Sequence, residues 1–312
     1  MMRLVSFVAV VLIHAVSKTV TDHPQVADAI AILSRFAVPY FFIAFGFLLS
    51  PRSSTQTGVR LLGRLMPPFI FWALAYVLYF RGTLAGLASP AMIARLLLTG
   101  LDGQHLWFLP ALGVAGLLFV MLRHALGWRA VLVVAIVFYA FALAFGPYRL
   151  LFDLPRPPFN TRNGPFFGFM FILAGAWLRT HAVRLHWSVA LLLVAVTGAL
   201  QWLEVQALVA SGLLETGRYV DDTLMTIGFG VAVFLLALSI PPTVRLPKLL
   251  ASLAELSLGL YVVHLFFLDL CGRAFGMTSL AQCLVNAVLA VLASVLCVLI
   301  LDRVPLTRRL IR

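Results

Sequence analysis

The segment from residue 282 to residue 301 is a run of twenty residues without a charged side chain. An α-helix crosses the hydrocarbon core of a bilayer in about 20 residues. Within lipid a helix satisfies its own backbone hydrogen bonds, whereas an open strand leaves them unpaired. The segment therefore predicts a transmembrane helix.

Further apolar segments of spanning length, allowing for tilt and frayed ends, lie at residues 4–20, 30–49, 61–80, 106–122, 130–145, 166–178, 187–205, 223–240 and 256–270. Charged residues make up only 11% of the chain, against roughly 25% in soluble proteins. We therefore expect an all-α fold, a polytopic membrane bundle of about ten transmembrane helices that forms a single domain over residues 1–312. Residues 84–100 are interrupted by glycine, proline and Arg95, which favours an interfacial helix or loop.

Ten crossings would place both termini on one side of the membrane, and the distribution of Lys and Arg predicts which side. With the amino terminus inside, the inner segments hold fourteen of these residues and the outer segments eight, while Arg35 lies inside the second span. This predicts cytoplasmic termini. The basic residues are spread through short loops, so the net charge of +12 reflects topology and no nucleic-acid partner is expected. The three cysteines lack metal-ligand spacing, and no metal is expected.

Arg3 and His14 are separated by ten residues, which places both on one face of a helix, about 16 Å apart along its axis. Burying a histidine in a membrane is costly, and an imidazole can serve as a general base at neutral pH. His14 is therefore the candidate base, although a bond to a neighbouring helix would also explain it. Arg3 suits a phosphate, or is an ordinary positive-inside anchor. A cleaved signal peptide ending at Ser17 would remove the pair, so we expect this segment to be retained.

Arg60 and Arg64 lie four residues apart at the start of the third predicted helix, and with Arg52 they form a basic inner patch. Guanidinium groups bind phosphates, but topology alone also explains these three residues. Arg35 is different because it lies inside an apolar helix and needs an anionic partner, water or a substrate. Asp102 and Asp269 are the candidate partners.

Two further histidines mark later segments. His105 and Trp107 lie at the outer mouth of the fourth predicted helix, while His264 follows Tyr261 by one turn deep in the ninth. An aromatic residue is expected at that mouth in any case. The two histidines deep in spans, His14 and His264, suggest a polar cavity. Most acidic residues fall in the outer loops beside arginines and asparagines, which suits a neutral hydroxylated acceptor, although ordinary solvated loops would look the same.

With these segments placed, the chain resembles the acyltransferase 3 family of integral membrane O-acyltransferases, specifically its shorter branch that acetylates cell-envelope sugars such as enterobacterial common antigen. Arg3 to His14 is similar to the family's R-x10-H motif in the first helix. The blocks SRFAVPYFFIAFGFLL, RLLGRLMPPFIFW, HLWFL and SLGLYVVHLFF follow in the family's order. Phe45 stands where the family usually has serine, and Leu4 where glycine often follows the motif arginine.

The resemblance implies an all-helical enzyme of the bacterial cytoplasmic membrane that moves an acyl group, commonly acetyl, from cytoplasmic acetyl-CoA to a sugar hydroxyl at the other face. It implies that His14 is catalytic and that Arg3, helped by Arg60 and Arg64, holds the donor. Envelope-polysaccharide synthesis proteins are the expected partners. The sequence shows no hydrolase-like domain after the last helix, so a second transfer would need another protein.

Two other classes of protein fit part of the pattern. A carrier or exporter of an envelope intermediate would line its path with the same polar residues, but carriers often contain inverted repeats, and matching halves are not found in the sequence. A structural subunit of a polysaccharide-synthesis complex would not need the histidines.

Overall fold

A computed structural model describes residues 1–16, 22–49, 54–241 and 247–311. Within these ranges the chain forms helices and no strand. The α-helices are α1 (Met2–Val16), α2 (Pro24–Ser34), α3 (Ala37–Leu48), α4 (Thr55–Arg81), α5 (Pro90–Thr99), α6 (Phe108–Phe145), α7 (Pro165–Thr180), α8 (Trp187–Ala210), α9 (Leu224–Ser239), α10 (Lys248–Glu255), α11 (Ser257–Phe275), α12 (Leu280–Leu301) and α13 (Pro305–Arg308). The all-α prediction is confirmed for the described part of the chain.

Within the described ranges, helices occupy the position of every predicted apolar segment; residues 17–20 of the first segment, with Ser17, lie outside them. Six stretches in the described ranges are long and apolar enough to cross a membrane: Pro24–Leu48, Thr55–Arg81, Gln104–Phe145, Trp187–Ala210, Ser257–Phe275 and Leu280–Leu301. Other apolar helices, including α1, α7 and α9, are shorter than these. The chain is thus a helical multi-pass membrane protein, and the number of ten crossings stays a prediction.

Two of the predicted segments share the long helix α6, which reverses direction at Gly127. This glycine has φ 77°, a left-handed conformation that glycine adopts at no steric cost. Phe119 lies before the break and Phe138 after it, yet their rings lie 5.8 Å and 5.6 Å from the ring of Phe169. In one straight helix those two residues would be roughly 28 Å apart. The two halves of α6 therefore run antiparallel against α7.

A second break separates α2 from α3 at Arg35 and Phe36, within the predicted segment 30–49. Pro39 is the third residue of α3, and a proline ring clashes with the carbonyl four residues earlier, here that of Arg35. The α-helical hydrogen-bond pattern is therefore interrupted between Ser34 and Ala37, although Arg35 and Phe36 keep right-handed helical backbone angles.

Helix α1 packs against α2, α3, α11 and α12, while α3 lies between α7 and α9. Glycines bring α3 and α7 into backbone contact. A Cβ built on Gly175 would lie 2.0 Å from the carbonyl oxygen of Ile43, and one on Gly46 would lie 2.1 Å from that of Ile172. Such close approach requires small residues, as in many membrane helix pairs.

Both ends of the described chain lie at the same end of the bundle. Arg3 and Ser257 line one cavity, and Ile311 packs directly against Gly259. We call this the Arg3 end, and the opposite end, where α1 reaches His14, the His14 end. A shared end agrees with an even number of crossings, and its placement in the cytoplasm stays a prediction. Residues 84–100 form a 3₁₀ turn, Ala85–Ala88, and the ten-residue α5, which is too short to span.

Candidate active site

The His14 end contains a cavity of about 620 Å³. Five residues singled out from the sequence line it: His14, Arg35, His105, Trp107 and Tyr261. They come from α1, from the break after α2, from the turn before α6 and from α11. Further polar side chains in the lining are Asp102, Gln104, Asn160, Arg162, Arg218 and Asp221. We call this space the histidine cavity.

Three histidines cluster at this cavity. The ring of His14 lies 5.4 Å from that of His264 and 6.1 Å from that of His105, and the latter two rings are 4.8 Å apart. His14 is partly exposed to the cavity, whereas His105 and His264 are 1% and 0% exposed. The described part of the chain holds no group of His, Cys, Asp and Glu side chains with metal-site geometry.

The hydrogen bonds of the two buried histidines assign their tautomers. His264 Nδ1 lies 2.6 Å from the carbonyl oxygen of Tyr261, and His105 Nε2 lies 3.4 Å from that of Val262. A carbonyl only accepts, so these two nitrogens carry the protons. The opposite nitrogens, His264 Nε2 and His105 Nδ1, then hold lone pairs, and neither has a partner among the described residues. Two buried nitrogens without a proton thus belong to the cluster around His14.

Tyrosines fix this arrangement. Tyr76 donates to the Val262 carbonyl at 2.9 Å and accepts from the Phe266 N–H at 3.0 Å, so its hydroxyl is inserted into one hydrogen bond of α11. Tyr261 donates its hydroxyl to the carbonyl of His105. Both bonds connect α11 to its neighbours next to His264, which gives the cluster a rigid frame.

Arg35 is paired with an acid that the sequence did not suggest. Its Nη1 lies 2.7 Å from Asp221 Oδ1, and it also donates to the carbonyl of Arg218. The predicted partners have other arginines instead. Asp102 Oδ2 lies 2.6 Å from Nε of Arg81, and Asp269 Oδ2 lies 2.7 Å from Nε of Arg273. That prediction was wrong because the loop between α8 and α9 folds back over the break after α2 and brings Asp221 to Arg35.

Asp221 joins two cations. Its second oxygen lies 2.5 Å from Nη1 of Arg162, and the Arg162 guanidinium lies 5.0 Å from the centre of the Trp107 ring. Burial favours the neutral form of Asp221, but the charges of Arg162 and Arg35 outweigh it and hold its pKa below the ordinary value. Asp221 is therefore a carboxylate that fixes both guanidinium groups at the cavity wall.

The neighbouring Asp222 behaves in the opposite way. Burial, and the charge of Asp221 beside it, raise its pKa to about 8. Its side chain is 4% exposed, and Oδ2 has no hydrogen-bond partner among the described residues. Asp222 is thus mostly protonated at neutral pH and has an O–H to donate.

A second cavity, of about 210 Å³, lies at the Arg3 end. Arg3 lines it together with apolar side chains, among them Phe45, Leu65 and Leu112. The ring of Phe45 lies against Gly116, where a Cβ would be 2.7 Å from it. Tyr261 lines this Arg3 cavity as well as the histidine cavity, so the two spaces meet at this one side chain.

The basic patch predicted at the start of α4 lies outside both cavities. Arg60 and Arg64 are exposed and line neither one, although Leu65 beside them faces the Arg3 cavity. Arg52 lies outside the described residues. Arg60 and Arg64 are thus surface residues of α4.

The sequence pattern did not identify Arg162, Arg218 and Asp221 as site residues, because it assigned them to solvated loops. The signal that points to an acidic residue at the site is Arg35, because an arginine inside an apolar helix needs an acidic partner from elsewhere in the chain. Hydropathy gave no means of choosing that acid among the outer loops.

Comparison with protein families gives one match. Residues 1–303 match the family model Acyl_transf_3, described as an acyltransferase domain, and every candidate site residue falls inside this range. No curated protein and no solved structure matches the chain.

Proposed function

The chain belongs to the acyltransferase 3 family of membrane acyltransferases, and from that premise we propose that it moves an acetyl group from cytoplasmic acetyl-CoA to a hydroxyl of a cell-envelope sugar or lipid-linked glycan. The proposal places it in the bacterial cytoplasmic membrane with the Arg3 end facing the cytoplasm.

The observation that carries the proposal is the pair of cavities that meet at Tyr261. One, of about 210 Å³, is lined by Arg3 and mostly apolar side chains, and the other, of about 620 Å³, is lined by His14 and many polar side chains. Two substrates of different chemistry can therefore approach Tyr261 from opposite ends of the bundle, the acceptor from the side of His14 and the donor from the side of Arg3. A transferase acting across a membrane needs this arrangement.

The Arg3 cavity fits the thin arm of a coenzyme A thioester rather than the whole molecule. Its volume of about 210 Å³ is below the range of roughly 300–1,000 Å³ that drug-sized ligands occupy. We therefore place the arm between Phe45 and Leu112, with Arg3 on a polar group of the donor. The nucleotide phosphates stay outside, where Arg60 and Arg64 are exposed.

The reaction needs one base and no covalent enzyme intermediate. His14 accepts the proton of the acceptor hydroxyl while that oxygen forms a bond to the thioester carbonyl carbon. The carbon–sulfur bond then breaks, and the coenzyme A sulfur takes the proton from His14. The products are an O-acyl sugar and free coenzyme A, and the histidine returns to its starting form.

Other residues of the histidine cavity hold the acceptor. Trp107, with the Arg162 guanidinium over its ring, forms part of the wall. Arg35 and Arg162 offer N–H donors, and Asp221 keeps both guanidinium groups in place. His105 and His264 shape the wall beside His14 through Tyr261. A neutral, hydroxyl-rich ligand suits donors and acceptors that are interleaved in this way.

The test is transfer of radiolabelled acetyl from acetyl-CoA to envelope glycan by the protein in lipid nanodiscs. We expect His14→Ala to lower the rate by at least about 100-fold, because general-base catalysis typically contributes that much. Arg3→Ala should raise KM for acetyl-CoA by roughly tenfold, as loss of a charged hydrogen bond does. His124→Ala and Arg309→Ala, which change exposed residues elsewhere, are the matched controls.

Unchanged acylation in both His14→Ala and Arg3→Ala would overturn the catalytic assignment. The alternative function, a carrier or exporter of an envelope intermediate, predicts a different result in the same nanodiscs: no acetyl transfer by the wild-type protein. Proteoliposomes loaded with glycan would then show movement of the glycan without acetyl-CoA.

A further inference from the structure

We propose that a groove beside the histidine cavity is a second acceptor subsite, which binds a neighbouring sugar of an oligosaccharide or polysaccharide chain. The inference rests on the proposed function and specifies its substrate class: the acceptor is a glycan chain of at least two sugars.

The groove lies between the segment after α6 and the loop that joins α8 to α9. It measures about 760 Å³, which is larger than the histidine cavity at 620 Å³. Asn160, Tyr219 and Asp221 line both spaces. A ligand that places one hydroxyl beside His14 can therefore continue across these three residues into the groove.

The side chains of the groove fit a carbohydrate better than a phosphorylated ligand. Tyr219 stands at the junction with 65% of its surface exposed, and an aromatic face can cover the C–H face of a sugar ring. The basic residues Arg149 and Arg156 share the groove with the carboxylates of Glu215 and Asp221. A phosphate would face these carboxylates, whereas sugar hydroxyls can bond to groups of either sign.

Asp222 adds an observation that points to a ligand. It lines the groove, its side chain is 4% exposed, and its Oδ2 lacks a partner among the described residues. A buried polar atom without a hydrogen bond is costly, and binding a hydroxyl would satisfy it. Because this carboxyl keeps its proton at neutral pH, it can donate to a ring or hydroxyl oxygen of the sugar.

The experiment compares acceptors of different length. Envelope glycan from cells lacking the protein is hydrolysed and separated into single sugars and fragments of three or more. Wild-type protein in nanodiscs should use the longer fragments with at least about tenfold higher kcat/KM, the gain expected from a few hydrogen bonds. The variant Arg156→Ala/Glu215→Ala, which leaves the net charge unchanged, should lose most of that preference and keep the single-sugar rate within twofold.

A second variant removes the same space by a different route. Leu214→Trp fills the groove without touching the histidine cavity and should also abolish the length preference. The matched control Arg95→Ala changes an exposed arginine on α5 that lines neither space, and it should behave as wild type. Thermal unfolding of each variant checks that it is folded.

The outcomes separate this proposal from the proposed function. Equal use of single sugars and longer fragments by the wild type overturns the subsite, as does a preference that survives both groove variants. Parallel loss of single-sugar and long-fragment turnover in both folded variants also overturns it. Absence of label in every fraction with wild-type protein instead overturns the acetyltransferase function itself.

Discussion

Asp222 shows how the environment of one side chain makes stability depend on pH. Its pKa is raised to about 8 in the folded protein, and unfolding returns it to the ordinary value near 3.8. The folded state therefore binds one more proton between these values, so stability falls as the pH rises from about 4 to about 8 and changes little above that. The groups facing this carboxyl are Asp221, Arg162 and Arg35, with Tyr139 nearby.

We expect Asp222→Asn, which imitates the protonated acid, to flatten the fall in unfolding temperature between pH 5 and pH 9. At pH 8.5 the variant should exceed the wild type by roughly 3 °C or more. Tryptophan fluorescence during heating in detergent measures the transition. Asp153→Asn is the control, since Asp153 is exposed and its left-handed conformation accepts asparagine. Parallel pH profiles of wild type and Asp222→Asn would contradict the prediction.

At the same scale, the sequence identifies the polar residues that are unusual in a membrane span, but it does not identify the residues they contact. The cost of an unpaired charge showed that Arg35 requires an anion, but its partner lies 186 positions away, and periodicity carries no information over that distance. The sequence marks His14 and His264 as polar residues in apolar spans and places His105 at the outer mouth of a helix. Their mutual distances depend on how α1, α6 and α11 pack, which no local pattern encodes.

At the scale of elements, the contact between α3 and α7 is the most sensitive to added volume. A methyl group on Gly175 would overlap the Ile43 carbonyl oxygen at 2.0 Å and the Phe47 nitrogen at 2.7 Å, both backbone atoms that cannot turn away. We expect Gly175→Ala to lower stability by at least about 2 kcal/mol, the usual scale of overpacking. Chemical unfolding, followed by circular dichroism, measures this change.

Gly63→Ala supplies the control within the same fold. Gly63 lies in α4 with nothing within 4 Å of its Cβ position, so alanine should be neutral or add up to about 1 kcal/mol through helix propensity. A similar loss of stability in Gly175→Ala and Gly63→Ala would show that the loss does not arise from the contact between α3 and α7. The apolar segments predicted these helices from length and hydropathy, but neither quantity distinguishes Gly175, at a contact, from Gly63, facing open space.

At the scale of the whole molecule, the presence of two cavities at opposite ends of the bundle could be predicted only in part from the sequence. The spacing of Arg3 and His14 along one helix implied two different depths, and that follows from helix geometry alone. The meeting of the cavities at Tyr261 depends on α11 packing beside α1 and α6, so it required the fold. What the sequence does address is which end faces the cytoplasm, because Lys and Arg are unequally shared between the two sets of loops.

That orientation yields the last prediction. A fluorescent protein that matures only in the cytoplasm should be active when fused after Ile311, at the Arg3 end, and alkaline phosphatase fused there should be inactive. Fusions that truncate the chain after Asp153, in the loop at the His14 end, should show the reverse. A third pair of fusions, truncated after Ala182 between α7 and α8, should again report the cytoplasm. This pair controls for the effect of truncating the chain. Phosphatase activity after Ile311 would show that the bundle has the opposite orientation, with Arg3 on the side of the membrane that lacks coenzyme A. Equal reporters after Ile311 and Asp153 would instead contradict the ten crossings. Only the expected pattern lets a cytoplasmic thioester reach Arg3 while an envelope sugar reaches His14.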